Sequence, residues 1–487
     1  MTVSIDGKPG TTELGRPLLI GITGSRGSGK TALLARLLDY LRRDGRAVDG
    51  LLAEAEGRPS QGRGAERYVL RWPLHNRESP LCERIGQGDP PYRFSDQAWH
   101  QVAAWAEGLA SQTPRPDVIV LDEFGQLEAR GEGFARHWDS IVRAEPAIVV
   151  VALRQEASER ISTHLGQPFD LIVEAGAPRT LERLCELCAA ARDWQRIGRY
   201  GAAAGGIEIT LGSLLHGTKV PFRRVVMASL QSVTLFFAGE KLARPTRLIW
   251  VSYLAASLKA LSPAGNRLRP MTAIAMQGTL FSTSVRLLGW NTIGVTAGAW
   301  LVGAWAALQG VLLQYLLLGE SLLNAYGEVQ EWFTRTLGWR IPSLPLTVAV
   351  YVAAAGSASV GIVTWARYRR RPPALLAKAL TRDIHGKTLI HALPWWRRLL
   401  REYKSRAFWL PLIVVLLLLV ASGARPPEIA GLILRAFGIV ALLFIAIAFI
   451  KPGQWAHRLQ SRGMWGPAVA LSRAMLPVIP ARSNGRR

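Results

Sequence analysis

The chain of 487 residues is long enough for at least two domains, and its formal charge is +24. Such an excess ordinarily points to nucleic acid. Here, however, 21 Lys/Arg face only three acids from Arg367 to the C-terminus, beside two long apolar runs. Basic residues flanking apolar spans are a membrane signature, so a lipid bilayer is expected as partner and nucleic acid is not.

Three cysteines leave no disulfide framework. Cys82 stands alone, and Cys185 and Cys188 share one face of LERLCELCAAAR, where they are expected as packed thiols without a metal. The opening MTVSIDGKPG lacks an apolar h-region, so no signal peptide is expected and residues 1–15 read as a tail.

Residues 16–192 read as an α/β domain with a mostly parallel sheet. PLLIGIT (17–23) has a buried-strand pattern. Gly24, Ser25, Arg26, Gly27, Ser28, Gly29, Lys30 and Thr31 follow, matching G-x-x-x-x-G-K-[ST], and then Leu33, Leu34, Leu37, Leu38 and Leu41 recur at helical spacing. Strand, glycine loop and helix are the context of a phosphate-binding loop. Glycines let the backbone turn its N–H groups toward phosphate oxygens, and the helix N-terminus adds positive potential. Lys30 is expected on the β- and γ-phosphates of ATP or GTP, with Thr31 on Mg²⁺.

DVIVLDEFGQLE (117–128) ends a second apolar run in Asp122-Glu123. Asp122 is expected to hold the metal, and Glu123 to polarise the attacking water. Further strands are predicted at 147–153 and 170–175, with helices near 95–110, 131–143, 155–164 and 179–192. Arg154, after the strand at 147–153, reads either as an internal arginine finger or as a surface arginine, and Arg26 carries the same two readings.

The segments VDGLLAE (48–54), RYVLRWPL (67–74), PLCER (80–84), YRFSDQAW (92–99), DVIVLDEFGQLEARGEGF (117–134) and VVVALRQ (149–155) resemble the cancer-related nucleoside-triphosphatase family, also described as nucleotide-kinase-like. The likeness runs from about Arg16 to Ala175. It implies hydrolysis of the γ-phosphate of nucleoside triphosphates with Mg²⁺, carried by Lys30, Thr31, Asp122 and Glu123. Phe124-Gly125 stands where Ile-Gly is common in the family. No Leu-Ser-Gly-Gly-Gln-like signature of ATP-binding-cassette motors is present.

Residues 193–224, rich in Gly and Ala, read as a connector. A multi-helix membrane domain is predicted over 225–366, then a basic cytoplasmic loop (367–406), a transmembrane hairpin (407–450) and a basic cytoplasmic tail (451–487). Trp290, Trp365, Trp395, Trp396 and Trp409 flank or interrupt these runs, as headgroup-level indoles do. Val225–Ala238 is short for a span; it reads as an amphipathic helix lying on the surface if the chain makes six passes and as a crossing helix if it makes eight. Leu287–Gly319 is uncharged and longer than one span, with a break expected near Gln309-Gly310 if it crosses twice. Both ends inside give six or eight passes, with six preferred. The membrane is expected to be a bacterial-type inner membrane.

SYLAASLKALSPAGNRLRPMTAIAMQGTLF (252–281), followed by LLGWNTIGVTAGAWLVG, resembles substrate-binding components of energy-coupling-factor vitamin transporters, without a vitamin-binding motif to carry over. Lys259, Arg267, Arg269, Gln277 and Arg286 are the candidate membrane-site residues, because polar groups within spans are costly to bury. The expected function is a membrane-integral NTPase coupled to handling of a small molecule. Two alternatives stand beside it: an anchored regulatory or assembly NTPase acting on a partner membrane protein, and a kinase with a membrane-associated acceptor.

Overall fold

The computed structural model describes residues 16–475 except 26, 57–64, 86–91, 218–222, 260–267, 319, 339, 341 and all but two positions of 382–451. The chain divides into an N-terminal unit, which also takes in Arg458–Arg473, and a helical unit over Arg196–His457.

The N-terminal unit is built on one eight-stranded sheet. In chain order its elements are β1 (Leu18–Thr23), α1 (Lys30–Arg43), β2 (Val48–Glu56), β3 (Arg67–Trp72), β4 (Arg77–Arg84), β5 (Tyr92–Phe94), α2 (Asp96–Gly108), β6 (Val118–Phe124), α3 (Trp138–Arg143), β7 (Ile148–Leu153), α4 (Ser158–Leu165), β8 (Leu171–Glu174) and α5 (Thr180–Ala189). The strand order is β5-β4-β3-β2-β6-β7-β1-β8. Strands β2, β6, β7, β1 and β8 run parallel. Every residue of β1 and of β7 is buried, as strands covered on both faces require. On α1, Leu34, Leu37, Leu38 and Leu41 form the buried stripe.

Strands β3, β4 and β5 extend this sheet antiparallel, an edge that the strand–helix alternation does not foretell. The β3–β4 turn is closed by the His75 N–H donating to the Trp72 carbonyl at 3.0 Å, with Asn76 left-handed at φ 46°. Asparagine tolerates that conformation better than most residues. Cys82, Cys185 and Cys188 are buried and unpaired, as packed thiols. Burial pushes Cys82 and Cys185 up to about 11, which leaves them unreactive.

Part of the predicted basic tail belongs to this unit. Two helices, α14 (Pro452–Ser461) and α15 (Trp465–Met475), follow the undescribed stretch. Gln460 Nε2 donates to the Ile172 carbonyl of β8 at 2.7 Å, and the Arg183 guanidinium lies 5.7 Å from the Trp465 ring centroid. Gly466 packs directly on the Trp194 indole, and Val469, Ala470 and Leu471 are buried. Trp465 is only 5% exposed, so Trp465→Ala is expected to cost the N-terminal unit about 3–5 kcal/mol. A lowered denaturation midpoint of that unit would register it.

The helical unit contains most of α6 (Ala191–Gly217), then α7 (Arg223–Lys241), α8 (Ile249–Lys259), α9 (Leu268–Leu288), α10 (Thr292–Leu318), α11 (Glu320–Leu337), α12 (Leu344–Arg369) and α13 (Ala374–Thr381). The described part of the stretch read as a connector, 193–217 and 223–224, is therefore helical. Its glycines serve close approach: Leu254 and Leu258 of α8 press on Gly201 and Gly205. Residues 225–238 do not lie flat on a surface, because α7 is buried from Ala228 to Gly239 except at the half-buried Leu230. Its polar side chains point inward, where Ser232 meets Ser359 of α12 at 3.0 Å and Gln231 donates to Ser252 of α8 at 2.8 Å. The run 287–319 does not break at Gln309-Gly310, since α10 continues through both.

Contacts fix the directions. Arg196 near the start of α6 donates to the Lys241 carbonyl at the end of α7. Tyr253 of α8 bonds Thr279 of α9 at 3.2 Å, and Ser284 near the end of α9 donates to the Gly294 carbonyl of α10 at 2.9 Å. Arg367 of α12 donates to Thr292 at the start of α10 at 2.9 Å. Thus α6, α7, α8, α9, α10 and α12 alternate in direction, and the chain enters and leaves this bundle at one end. Among the described residues two helices, over Thr292–Leu312 and Leu344–Arg369, are long and apolar enough to cross a membrane. The predicted hairpin 407–450 lies outside the described residues.

Candidate functional site

The glycine loop joins β1 to α1 at the C-terminal edge of the parallel strands, where ligands of open α/β sheets bind. Gly24, Gly27 and Gly29 have φ of 150°, 78° and 83°, conformations that side chains disfavour. At Gly24 a side-chain carbon would also meet Ser28 Oγ at 2.4 Å. Among the described residues Ser28 Oγ is buried without a hydrogen-bond partner, and the Ser28 N–H closes the turn on the Ser25 carbonyl at 3.2 Å. Lys30 Nζ donates to the Gly24 and Ser25 carbonyls at 2.9 and 3.0 Å, so the ammonium sits across the loop. Arg26 lies outside the described residues.

Asp122 ends the regular part of β6, two strands from β1, and is 1% exposed. Its carboxylate accepts from the Ala53 N–H at 3.4 Å and the Glu123 N–H at 3.0 Å, and the nearby Thr31 hydroxyl favours its charged form. Burial pushes Asp122 up to about 6, opposed by those hydrogen bonds. Hydroxyl and carboxylate side by side are the oxygen donors a hard divalent cation takes when phosphate and water complete its shell. Among the described residues no three His, Cys, Asp or Glu side chains form a metal cage.

Glu123 is exposed and left-handed, with φ 66°, and the β6–β7 register shifts between Leu121 and Phe124 around it. Arg154 is exposed at the end of β7, and its N–H donates to the Phe124 carbonyl at 3.3 Å. The backbone thereby ties Arg154 to the Glu123 turn. Lys30, Thr31, Asp122, Glu123 and Arg154 thus all fall on neighbouring strand ends.

Sequence reasoning passed over Glu128. It is 2% exposed, and its two oxygens accept from the Gly125 N–H at 2.7 Å and the Phe134 N–H at 3.1 Å. Gly133, at φ 56°, presses on the same carboxylate, while Phe134 stacks on Phe124 at 5.7 Å. One side chain therefore closes the loop that follows Glu123. The signal available was a lone acid between a strand end and the Gly131–Gly133 pair.

Burial pushes Glu128 up to about 7, opposed by its backbone hydrogen bonds. A raised carboxyl stabilises the fold fully below its unfolded value near 4.5 and loses that contribution as pH rises through 7. Glu128→Gln sets an amide N–H against one of the two backbone donors, at a cost of about 1–3 kcal/mol. It is also expected to flatten the decline in thermal midpoint between pH 5 and 8, read against the wild type.

With the geometry in place, the comparisons decide the class of this region. Residues 19–172, from β1 into β8, match the family model described as NTPase. The N-terminal domain is a nucleoside-triphosphatase. A nucleoside-triphosphatase named THEP1 from Pyrococcus abyssi (strain GE5 / Orsay) is 27% identical over 137 residues, covering 28% of this chain and 73% of that protein. The solution structure of a human cancer-related nucleoside triphosphatase aligns with 36% of this chain and 96% of its own, at 16% identity and a TM-score of 0.27. The family match ends at residue 172, so it says nothing of the helical unit.

The candidate membrane residues differ in their surroundings. Lys259 and Gln277 are each 5% exposed, and Lys259 Nζ donates to the Glu208 carbonyl of α6 at 2.5 Å. Arg286 is exposed, Arg269 is half-buried in the first turn of α9, and Arg267 lies outside the described residues.

Proposed function

We propose that the NTPase domain hydrolyses ATP or GTP with Mg²⁺ at the edge formed by β1, β6 and β7. The observation that carries this reading is the Lys30 ammonium laid across the glycine loop at the same strand edge as the buried Asp122 carboxylate, which the Thr31 hydroxyl helps keep charged. The loop N–H groups of Gly24 to Gly29 hold the phosphates, and Lys30 exchanges its two carbonyl partners for β- and γ-phosphoryl oxygens. Thr31 and Asp122 would hold Mg²⁺, which would neutralise charge on the phosphates. Glu123 accepts a proton from water as the water oxygen bonds to the γ-phosphorus. The bond from that phosphorus to the bridging oxygen breaks, leaving nucleoside diphosphate and phosphate. Arg154 meets the γ-phosphate from the end of β7. Phosphate release from ATP and GTP, with Mg²⁺ and with chelator, tests this. Metal-dependent release is expected, and no release from either nucleotide would sink it.

For the helical unit we infer a membrane bundle that responds to this turnover by handling a small molecule. Support comes from α10 and α12 and from polarity inside the bundle. Glu208 and Lys259 are buried together between α6 and α8, and ionisable groups inside membrane bundles are costly. The bundle end carrying Lys241, Arg244, Arg247, Arg367, Arg369, Arg370 and Arg371 is the cytoplasmic one by the charge rule. Purified full chain in liposomes tests the coupling: Lys259→Gln is expected to alter the hydrolysis rate. An unchanged rate, or a stoichiometric partner protein copurifying without any bound solute, would favour a regulatory role instead.

A further inference from the structure

Three arginines of the helical unit gather at the bundle end opposite the basic cytoplasmic one. Arg223 and Arg224 open α7, and Arg269 stands in the first turn of α9. A side-chain carbon placed on Gly310 of α10 would meet Arg224 Nη1 at 2.2 Å and Arg269 Nη2 at 3.7 Å. Two guanidinium groups from different helices therefore share one spot above a buried glycine. Arg223 and Arg224 are the charges that act on Arg269 there.

Four other arginines of this unit have partners among the described residues. Arg196 donates to the Lys241 carbonyl, Arg199 to Leu380, Arg367 to Thr292, and Arg335 pairs with Glu331. Arg223, Arg224 and Arg269 have no ion pair or hydrogen bond from their side chains among the described residues. Like charges held together without a counter-charge repel. The first turns of α7 and α9 add the positive ends of two helix dipoles. Gly310 also costs helix stability relative to alanine, and its one evident return is clearance for these side chains. Arginine accumulates on this side against the charge rule for non-cytoplasmic ends.

We propose that Arg223, Arg224 and Arg269 form a binding site for a phosphate group, supplied either by a free phosphorylated molecule or by an anionic lipid headgroup. The planar forks of Arg224 and Arg269 suit bidentate binding of phosphate oxygens. Phosphate carries close to two negative charges, so it balances three arginines better than a carboxylate does. The site stands apart from the nucleotide loop and does not depend on the reading of that loop.

The test uses the full chain in maltoside detergent, with Mg-ADP saturating the nucleotide domain. Thermal midpoints are followed against inorganic phosphate and, separately, against dioleoyl phosphatidic acid. A rise with inorganic phosphate identifies a free ligand, and a rise with phosphatidic acid alone identifies a headgroup. In either case Arg224→Gln/Arg269→Gln is expected to weaken the apparent affinity at least tenfold. Gly310→Leu keeps every charge but fills the shared spot, and is expected to weaken binding similarly, which guards against a misfolded double variant. Equal response of wild type and both variants, or no response of the wild type to either probe, would overturn the proposal.

Discussion

Lys30→Ala is expected to lower the turnover of nucleoside triphosphate by at least about 10²–10³, the loss typical when one preorganised charge is removed from a transition state. The argument rests on where the ammonium stands. It lies across the loop on the Gly24 and Ser25 carbonyls, at the mouth of the backbone turn that the three positive-φ glycines create. An incoming phosphate brings oxygens that replace both carbonyls, and these bear full charge where the carbonyls are only dipoles. Alanine removes the charge and the bridge at once. The fold should survive, because Lys30 is only half-buried and its partners are backbone groups of a solvent-facing loop. Lys30→Arg tests the geometry separately: it keeps the charge but brings a wide planar fork into a loop sized for an ammonium. It is expected to recover little activity. Steady-state phosphate release with thermal denaturation as control makes the measurement, and a Lys30→Ala enzyme turning over at the wild-type rate would remove the basis of the proposed function.

The parts of this site readable from sequence are those whose chemistry is local. G-x-x-x-x-G-K-T contains its own turn, its own helix start and its own cation, and the run into Asp122-Glu123 names its own strand end. Glu128 was not readable in this way. Its role depends on two N–H groups, Gly125 and Phe134, that come together only when the intervening residues fold around it. The antiparallel edge β3–β5 is non-local for the same reason, since each strand is defined by its neighbour.

In the helical unit, composition pointed the wrong way for a physical cause. Gly and Ala between 193 and 224 suggested a linker, yet small residues are also what close helix packing requires, and Leu254 and Leu258 occupy the room left by Gly201 and Gly205. The shortness of 225–238 suggested a helix lying at a surface, but its polar residues do not face outward. They face its neighbours instead, Ser232 toward Ser359 and Gln231 toward Ser252. Periodicity reports that a helix has two faces; which of them is buried depends on the neighbouring helices.

Glu123→Gln is expected to reduce kcat by about 10²–10⁴ while leaving nucleotide affinity within a few-fold, the pattern for loss of a base that acts after binding. The backbone supplies an independent reason to assign function here. A glutamate at φ 66° costs roughly 1–2 kcal/mol relative to a right-handed or extended residue, and the β6–β7 register breaks to accommodate it. Strain of this kind persists where the side chain has to be aimed. The Asp122 carboxylate accepts the Glu123 N–H at 3.0 Å, so the same turn that strains Glu123 fixes Asp122 against Thr31. Glu123→Gly therefore separates the two demands on this position. Glycine adopts the left-handed region freely, so this variant is expected to gain about 1 kcal/mol of stability, offset in part by glycine's larger unfolded-state entropy, while turnover falls as far as in Glu123→Gln. A position where stability rises as activity disappears is one shaped by catalysis. If Glu123→Gly retained activity, the proton would have to leave water by a route that bypasses this carboxylate, and Glu123 would be only the residue that happens to occupy the turn.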